Sequence, residues 1–332
     1  MKAVVMTETG SPSVLETREI PEPEIQHPTQ IKVRLQTAGI NPIDTKLRQR
    51  GLFYGATPPA ILGCDGAGEV IATGEEVSRF QAGDKVWFCH GGLGREQGNY
   101  AQYTVLEENR AEFLPLRLSY PEAGATPLAL ITAWEALYDR GRLEEGQTVL
   151  IHAGAGGVGH IAIQLAKIRG ARVLTTVSDS EKAAFVTDLG ADTVINYREQ
   201  TIDKAVMEAT GGRGVDLAFD TVGPEVFRQS LPLLAEYGTL VTLLDPGDAL
   251  DTSLARNSNL SIAFTLMLTP ALKDLEDALA HQGEILRLGG EWMSEGKLKV
   301  KVSRILELED APAAHQLIEE GHTLGKLVLM TG

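Results

Sequence analysis

Short apolar runs separated by Gly and Pro clusters fill the first 120 residues. Ile31–Leu35 and Glu69–Ala72 are two such runs, set among Pro21–Pro28, Thr57–Pro59 and Gly91–Gly98. This spacing predicts short strands in a compact, mostly β domain. From Tyr120 the period changes. Pro121–Leu137 reads as helical. After it, strands over Thr148–His152, Arg172–Val177, Val215–Asp220 and Thr239–Leu244 alternate with helices over Val158–Arg169, Glu181–Leu189 and Glu225–Leu234. Such alternation predicts a parallel, doubly wound α/β sheet. Beyond Pro270 the pattern predicts two helices and two strands, Leu298–Ser303 and Gly325–Met330.

The strongest chemical signal lies where the first of these parallel strands ends. Thr148–His152 runs into Ala153-Gly154-Ala155-Gly156-Gly157-Val158-Gly159 and then into a helix. Gly154, Gly156 and Gly159 form a Gly-x-Gly-x-x-Gly pattern in strand–turn–helix context. The first glycine permits the turn, the second lets backbone approach a pyrophosphate, and the third packs helix on strand. The helix N-terminus offers N–H groups to the anion. A dinucleotide site is the expectation.

An acid at the end of the next strand would favour NAD by binding the ribose hydroxyls. Here Val177 is followed by the small, neutral Ser178, then Asp179, with Lys182 in reach of the same pocket and Tyr197 placed to close over the adenine-ribose end. Asp179 argues the other way if it points inward. A solvated helix start is the plainer role for Lys182, and an exposed loop aromatic for Tyr197. NADPH is favoured.

Composition narrows the class. A length of 332 residues suggests about two domains. Hydrophobic residues at 43% and charged residues at 23% are ordinary for a folded chain. A net charge of −15 with no basic run argues against a nucleic-acid or anionic membrane partner. The opening MKAVVMTETG turns polar too soon for a signal-peptide core, and Cys64 and Cys89 allow one bridge at most. A cytoplasmic protein is expected.

Over essentially its whole length the chain resembles the medium-chain dehydrogenase/reductase superfamily, in particular its zinc-independent quinone oxidoreductase branch, which includes zeta-crystallin-like proteins. The resemblance rests on Ala38-Gly39-Ile40-Asn41-Pro42-Ile43-Asp44 with Arg48, on Gly63–Val70, Gly83–Val86 and the glycine loop, and on Leu189–Asp192, Asp220–Gly223 and Gly325–Leu329. It implies a GroES-like, mostly β catalytic domain over 1–121 plus 269–332, with an inserted Rossmann NADP-binding domain over 122–268 and the substrate in the interdomain cleft. Zinc-using relatives carry Cys where this chain has Asn41 and a His–Glu pair where it has Cys64-Asp65. No metal is expected, because Asn41 is a weak neutral donor and no third soft ligand is evident.

The function so implied is zinc-free, NADPH-dependent transfer of a hydride or electrons to quinones or other activated enones and carbonyls. These acceptors need little Lewis-acid help because the product charge is delocalised. Asn41 is expected at the substrate oxygen or the nicotinamide face. Asp44 and Arg48 would shape the pocket floor, or else pair as a structural salt bridge. Tyr54 would stack or donate a proton, or lie on the surface. Thr132, Gly154, Ala155, Gly156, Gly157, Val158, Gly159, Ser178, Lys182, Tyr197, Val222, Gly223, Leu243 and Lys326 are the expected cofactor contacts. His90 and His152 read as structural. Lys46 departs from the branch, which often carries Tyr there, and it favours reduced turnover. Leu260–Leu268 reads as an apolar edge strand, of the kind that pairs across a homodimer in relatives. Two other readings remain at this point: an NADPH-binding protein with a structural, sensory or RNA-binding role, and a zinc alcohol dehydrogenase.

Overall fold

The structure is a computed structural model, and it describes residues 1–321 and 323–332. The chain forms two compact units. One holds Met1–Leu128, Leu268–Gly296 and Val300–Gly332, and the other Ala129–Met267 with Lys297–Lys299.

In the first unit β1 (Lys2–Met6) lies between β2 (Leu15–Glu19) and the short β4 (Ala60–Ile61). A larger sheet is built on β3 (Gln30–Ile40), β5 (Asp65–Thr73), β6 (Lys85–Cys89), β7 (Tyr103–Glu107) and β8 (Ala111–Phe113). The chain returns at its end to add β15 (Val302–Glu307) and β16 (Lys326–Met330), giving the order β15-β16-β3-β5-β6-β8, with β7 also on β3. The first half of β3 alternates as a one-sided strand should: Ile31, Val33 and Leu35 are buried with Val70, Val86, Phe88 and Leu106. Its last four residues are buried on both faces, and this end leads into the candidate site.

Asn41 caps α1 (Pro42–Arg50). Pro42 loses nothing at the first helical position, where its missing N–H would have no partner. The Asp44 carboxylate reaches back to accept the Asn41 backbone N–H at 2.8 Å. The helix predicted over Pro121–Leu137 is broken into α2 (Tyr120–Ala125) and α3 (Pro127–Trp134), followed by a wide π turn over Glu135–Arg140. Pro127 explains the break, since it cannot donate to the preceding turn and serves instead to start a new helix.

The second unit is a six-stranded, fully parallel sheet of β9 (Thr148–Ile151), β10 (Arg172–Val177), β11 (Thr193–Asn196), β12 (Val215–Asp220), β13 (Leu234–Thr242) and β14 (Ser261–Phe264). Their order is β11-β10-β9-β12-β13-β14, reversing direction beside β9. This is the Rossmann arrangement, and such a reversal opens a crevice at the carboxyl ends of the strands. The helices α4 (Gly159–Ile168), α5 (Ser180–Asp188), α6 (Ile202–Ala209), α7 (Pro224–Ser230) and α8 (Thr252–Asn257) connect the strands.

The tail carries α9 (Thr269–Leu272), the 19-residue α10 (Glu276–Ser294) and α11 (Ala311–Glu320). Its first strand begins at Val302, four residues later than predicted. The backbone at Lys299 is drawn instead to the second unit, where its N–H and C=O both bond the Gln164 amide at 2.9 and 2.8 Å. Among the described residues no helix is long and apolar enough to cross a membrane.

Candidate functional site

The glycine loop of the second unit leaves β9 at Ala153, which sits in the left-handed region at φ +50°. Two of its glycines are required by close approach. A Cβ on Gly154 would lie 2.0 Å from Thr175 Oγ1, and one on Gly159 would lie 2.3 Å from the Ala153 carbonyl oxygen. Gly156 is different: its nearest neighbour would be the Ala153 oxygen at 3.2 Å. A side chain there would ask that carbonyl to give by only a few tenths of an ångström. Gly157 and Val158 complete the turn into α4, whose N-terminus carries N–H groups that an anion would satisfy. The cradle fits a dinucleotide pyrophosphate.

At the end of β10 Ser178 is buried, and Lys182 Nζ donates to its Oγ at 2.9 Å. Asp179 faces solvent as the N-cap of α5, accepting the Lys182 N–H at 2.9 Å and the Ser178 hydroxyl at 2.8 Å. These bonds hold its carboxyl below the usual range. Tyr197 directly follows the β11 residue that pairs with Val177, and it is half exposed. The structure therefore brings Ser178, Lys182 and Tyr197 to one end of the sheet, with Asp179 occupied in capping.

Beyond β12 a buried carboxylate shapes the next loop. Asp220 Oδ1 accepts the N–H groups of Val222 and Gly223 at 2.8 and 3.0 Å, while Oδ2 takes the Thr242 hydroxyl at 2.9 Å. The Leu243 N–H bonds the Asp220 carbonyl at 3.1 Å. Asp220 is thus a positioning group that motif reading had seen only as part of Asp220–Gly223. Thr132 lies buried on α3. His152 donates to or accepts from Ser230 Oγ at 2.9 Å, and burial pulls it down to about 4, a structural histidine as expected.

The first unit holds a buried polar cluster around Asn41. Its Nδ2 donates to Asp65 Oδ2 at 2.8 Å, and its Oδ1 accepts from Lys326 Nζ. Lys326 also donates to the Ile40 carbonyl at 3.1 Å and lies 3.9 Å from Asp65 Oδ2. Asp65 Oδ1 accepts the Leu128 N–H at 2.8 Å. Lys326 is therefore not a surface lysine but a buried partner of Asn41.

Asp44 and Arg48 do not form the pair the sequence suggested, because each has another partner: Glu319 on α11 for Arg48 and the Tyr100 hydroxyl for Asp44. Arg48 bonds Glu319. Asp44 Oδ2 accepts the Tyr100 hydroxyl at 3.1 Å, and that hydroxyl meets His315 Nε2 at 3.2 Å. Burial pushes Asp44 up to about 7 and pulls His315 down to about 3. Tyr100 and His315 had carried no sequence signal. Tyr54, at φ +61°, donates its hydroxyl to the Ala271 carbonyl at 2.9 Å, and the Arg95 guanidinium stacks 3.9 Å above its ring. Its proton is thereby engaged. Lys46, half-buried on α1, has its pKa lowered by desolvation.

Zinc does not fit this cluster. Among the described residues no three His, Cys, Asp or Glu side chains converge as ligands. Asn41 offers a neutral amide already bonded at both ends, and burial pushes the Cys64 thiol well up, away from the thiolate a metal needs. Both Asp65 oxygens are used, and an ammonium already stands beside them.

Comparison with known proteins covers the whole chain. A family described as Alcohol dehydrogenase GroES-like domain matches residues 27–116, and one described as Zinc-binding dehydrogenase matches residues 189–329. A quinone oxidoreductase of Pseudomonas aeruginosa is 33% identical, over 99% of each chain. Among solved structures, an alcohol dehydrogenase superfamily protein from Novosphingobium aromaticivorans is 33% identical with a TM-score of 0.92, over the full length of both chains. The Escherichia coli quinone oxidoreductase complexed with NADPH is 29% identical, TM-score 0.88, over 99% of this chain and 100% of that one.

Proposed function

The chain belongs to the medium-chain dehydrogenase/reductase superfamily, among its quinone oxidoreductases, and on that premise we propose how its residues divide the work. It is an NADPH-dependent oxidoreductase whose acceptors are quinones or other activated enones and carbonyls. The observation that carries this reading is full-length similarity to quinone oxidoreductases, joined to a glycine loop with a serine and a lysine at the end of the next strand.

NADPH, when bound, supplies the hydride. The glycine loop and the α4 N-terminus hold its pyrophosphate. Ser178 and Lys182 take the 2′-phosphate, and Tyr197 covers the adenine-ribose end. The backbone of Val222, Gly223 and Leu243, set by Asp220, lines the nicotinamide half along with Thr132. Asn41 has one amide hydrogen not engaged by Asp65, and it donates this to the acceptor oxygen as negative charge develops there. The acceptor takes up one further proton from solvent, which completes reduction to the hydroquinone.

Lys182→Ala tests the cofactor assignment. A lost charge-assisted bond of about 1.5–3 kcal/mol corresponds to a rise of roughly 10- to 100-fold in the KM for NADPH. The KM for NADH should stay within about 2-fold. Equal effects on both cofactors would show that Lys182 does not read the phosphate.

A homodimer formed through β14 belongs to the same proposal. That strand ends the parallel sheet, and Phe264 and Leu266 are exposed beside it at 57% and 51%. An open apolar edge favours pairing with another copy. Sedimentation velocity should give a dimer, and Phe264→Glu with Leu266→Glu a monomer. A monomeric parent chain would refute the pairing. Cytoplasmic residence is proposed as well, supported by the two unbridged cysteines.

A further inference from the structure

A lysine fully withdrawn from water is costly unless its ammonium is paired and hydrogen-bonded. Lys326 is 4% exposed and stands at the start of β16, the last strand of the chain. Antiparallel pairing of Leu327 with Ile40 sets it beside the end of β3, where Asn41 follows. A methionine would fill such a position without this cost. The contacts of the ammonium indicate what the charge is for: the Ile40 carbonyl, Asn41 Oδ1 and, at 3.9 Å, Asp65.

An amide held by neutral groups can flip end for end. Asn41 cannot. Lysine only donates and a carboxylate only accepts, so Oδ1 must face Lys326 and Nδ2 must face Asp65. The same two contacts pull electron density toward Oδ1, which strengthens the remaining N–H as a donor.

We propose that Lys326 is a positioning residue for the reduction, acting through Asn41 by fixing its amide and polarising the N–H that meets the acceptor oxygen. The proposal rests on the reading that Asn41 contacts that oxygen. It also accounts for the mismatch with zinc: the cation at this place in the fold belongs to the chain itself. The titratable groups facing Lys326 are Asp65 at the start of β5, Cys64 just before it, Cys89 at the end of β6 and Asp44 on α1. Burial lowers the lysine pKa, so its charge is lost at a lower pH than that of a free lysine.

The experiment is a double-mutant cycle with a para-quinone and NADPH, using Asn41→Ala, Lys326→Met and both together. The kcat, the KM, NADPH affinity and the melting temperature are recorded for each. Asn41→Ala should lower kcat on the order of 100-fold. Lys326→Met should lower it by roughly 10-fold or more, with NADPH affinity unchanged, and the double variant should be no slower than Asn41→Ala alone. Additive losses, an unchanged kcat in Lys326→Met, or a matching loss of NADPH affinity would each overturn the proposal. If Asn41→Ala turns over like the parent, the underlying reading fails and the proposal with it. A drop in Asn41→Ala alone would instead leave the reading standing and remove Lys326 from it. Should Lys326→Met not fold, Lys326→Met with Asp65→Asn removes both charges and serves in its place. The kcat of the parent should decline on the alkaline side as Lys326 loses its charge, and in Lys326→Arg, which keeps its charge at high pH, that decline should disappear. Persistence of that decline would count against the ammonium.

Discussion

Gly159→Val should abolish NADPH binding, whereas Gly156→Ala should weaken it in a protein that melts close to the parent. The contrast follows from what each new side chain meets. At Gly159 a Cβ would stand 2.3 Å from the Ala153 carbonyl oxygen and 2.8 Å from the Gly154 Cα, both backbone atoms. Neither can rotate away, so the loop must open. Overpacking of this kind costs about 1–3 kcal/mol in stability, and the cradle for the pyrophosphate is lost with it. At Gly156 the only close atom would be 3.2 Å away. Its methyl group therefore costs little, a shift of that oxygen by a few tenths of an ångström, and stands where the pyrophosphate must approach, which should raise the Kd for NADPH by roughly 10-fold or more. Calorimetric titration and thermal melts separate the two effects. Parent-like affinity in Gly156→Ala would mean that the pyrophosphate does not lie on this loop.

The second large effect is an unequal response of the two units to acid. His152 in the second unit is buried and titrates near 4 when folded, against an ordinary 6.5. As pH falls through 6.5 the unfolded chain takes up a proton that the folded chain refuses, so stability drops by about 3 kcal/mol on reaching pH 4. In the first unit His315, pulled down to about 3, acts with the same sign. Asp44 opposes it. Its carboxyl stays protonated in the fold up to about 7, while in the unfolded chain it ionises above 3.8, so its contribution is present at low pH and is lost as pH rises toward 7. Asp65, pushed up by burial as well, adds to the side of Asp44.

Between pH 6.5 and 4 the first unit should therefore hold level or gain, while the second loses about 3 kcal/mol. Native-state hydrogen exchange reads the two separately, through Leu150 and Leu174 in one core and Val33 and Leu106 in the other. His152→Gln should flatten the response of the second unit. Asp44→Asn should tilt the first, which would then lose stability on acidification. Parallel losses in both units of the parent protein would contradict the assignment.

The parts of the molecule that could be read from sequence are those set by local spacing. The strand–helix alternation from Thr148 onward reports the parallel sheet because each strand and each helix carries its own period. The glycine loop is legible for the same reason: turn, phosphate approach and helix packing all fall within seven residues. Ser178 and Lys182 are one helical turn apart and could be grouped on that ground.

The cluster around Asn41 could not be read this way. Lys326 reaches Asn41 only because β16 returns to pair with β3 across most of the chain. Tyr100 reaches Asp44, and His315 reaches Tyr100, by contacts between distant stretches of the chain, and Glu319 takes Arg48 from a helix that shows no motif. The late start of β15 depends on Gln164, a single amide in the other unit, which captures the backbone at Lys299. Long-range pairing of this kind leaves no periodic trace in a single sequence.

The most direct test of the account is the rate of NADPH oxidation by chelator-treated protein offered a para-quinone, with NADH run in parallel. Rapid turnover with NADPH, at least about 10-fold more efficient than with NADH and undiminished by the chelator, is the predicted result. No quinone-dependent oxidation of NADPH, or activity that vanishes with the chelator and returns with zinc, would contradict it.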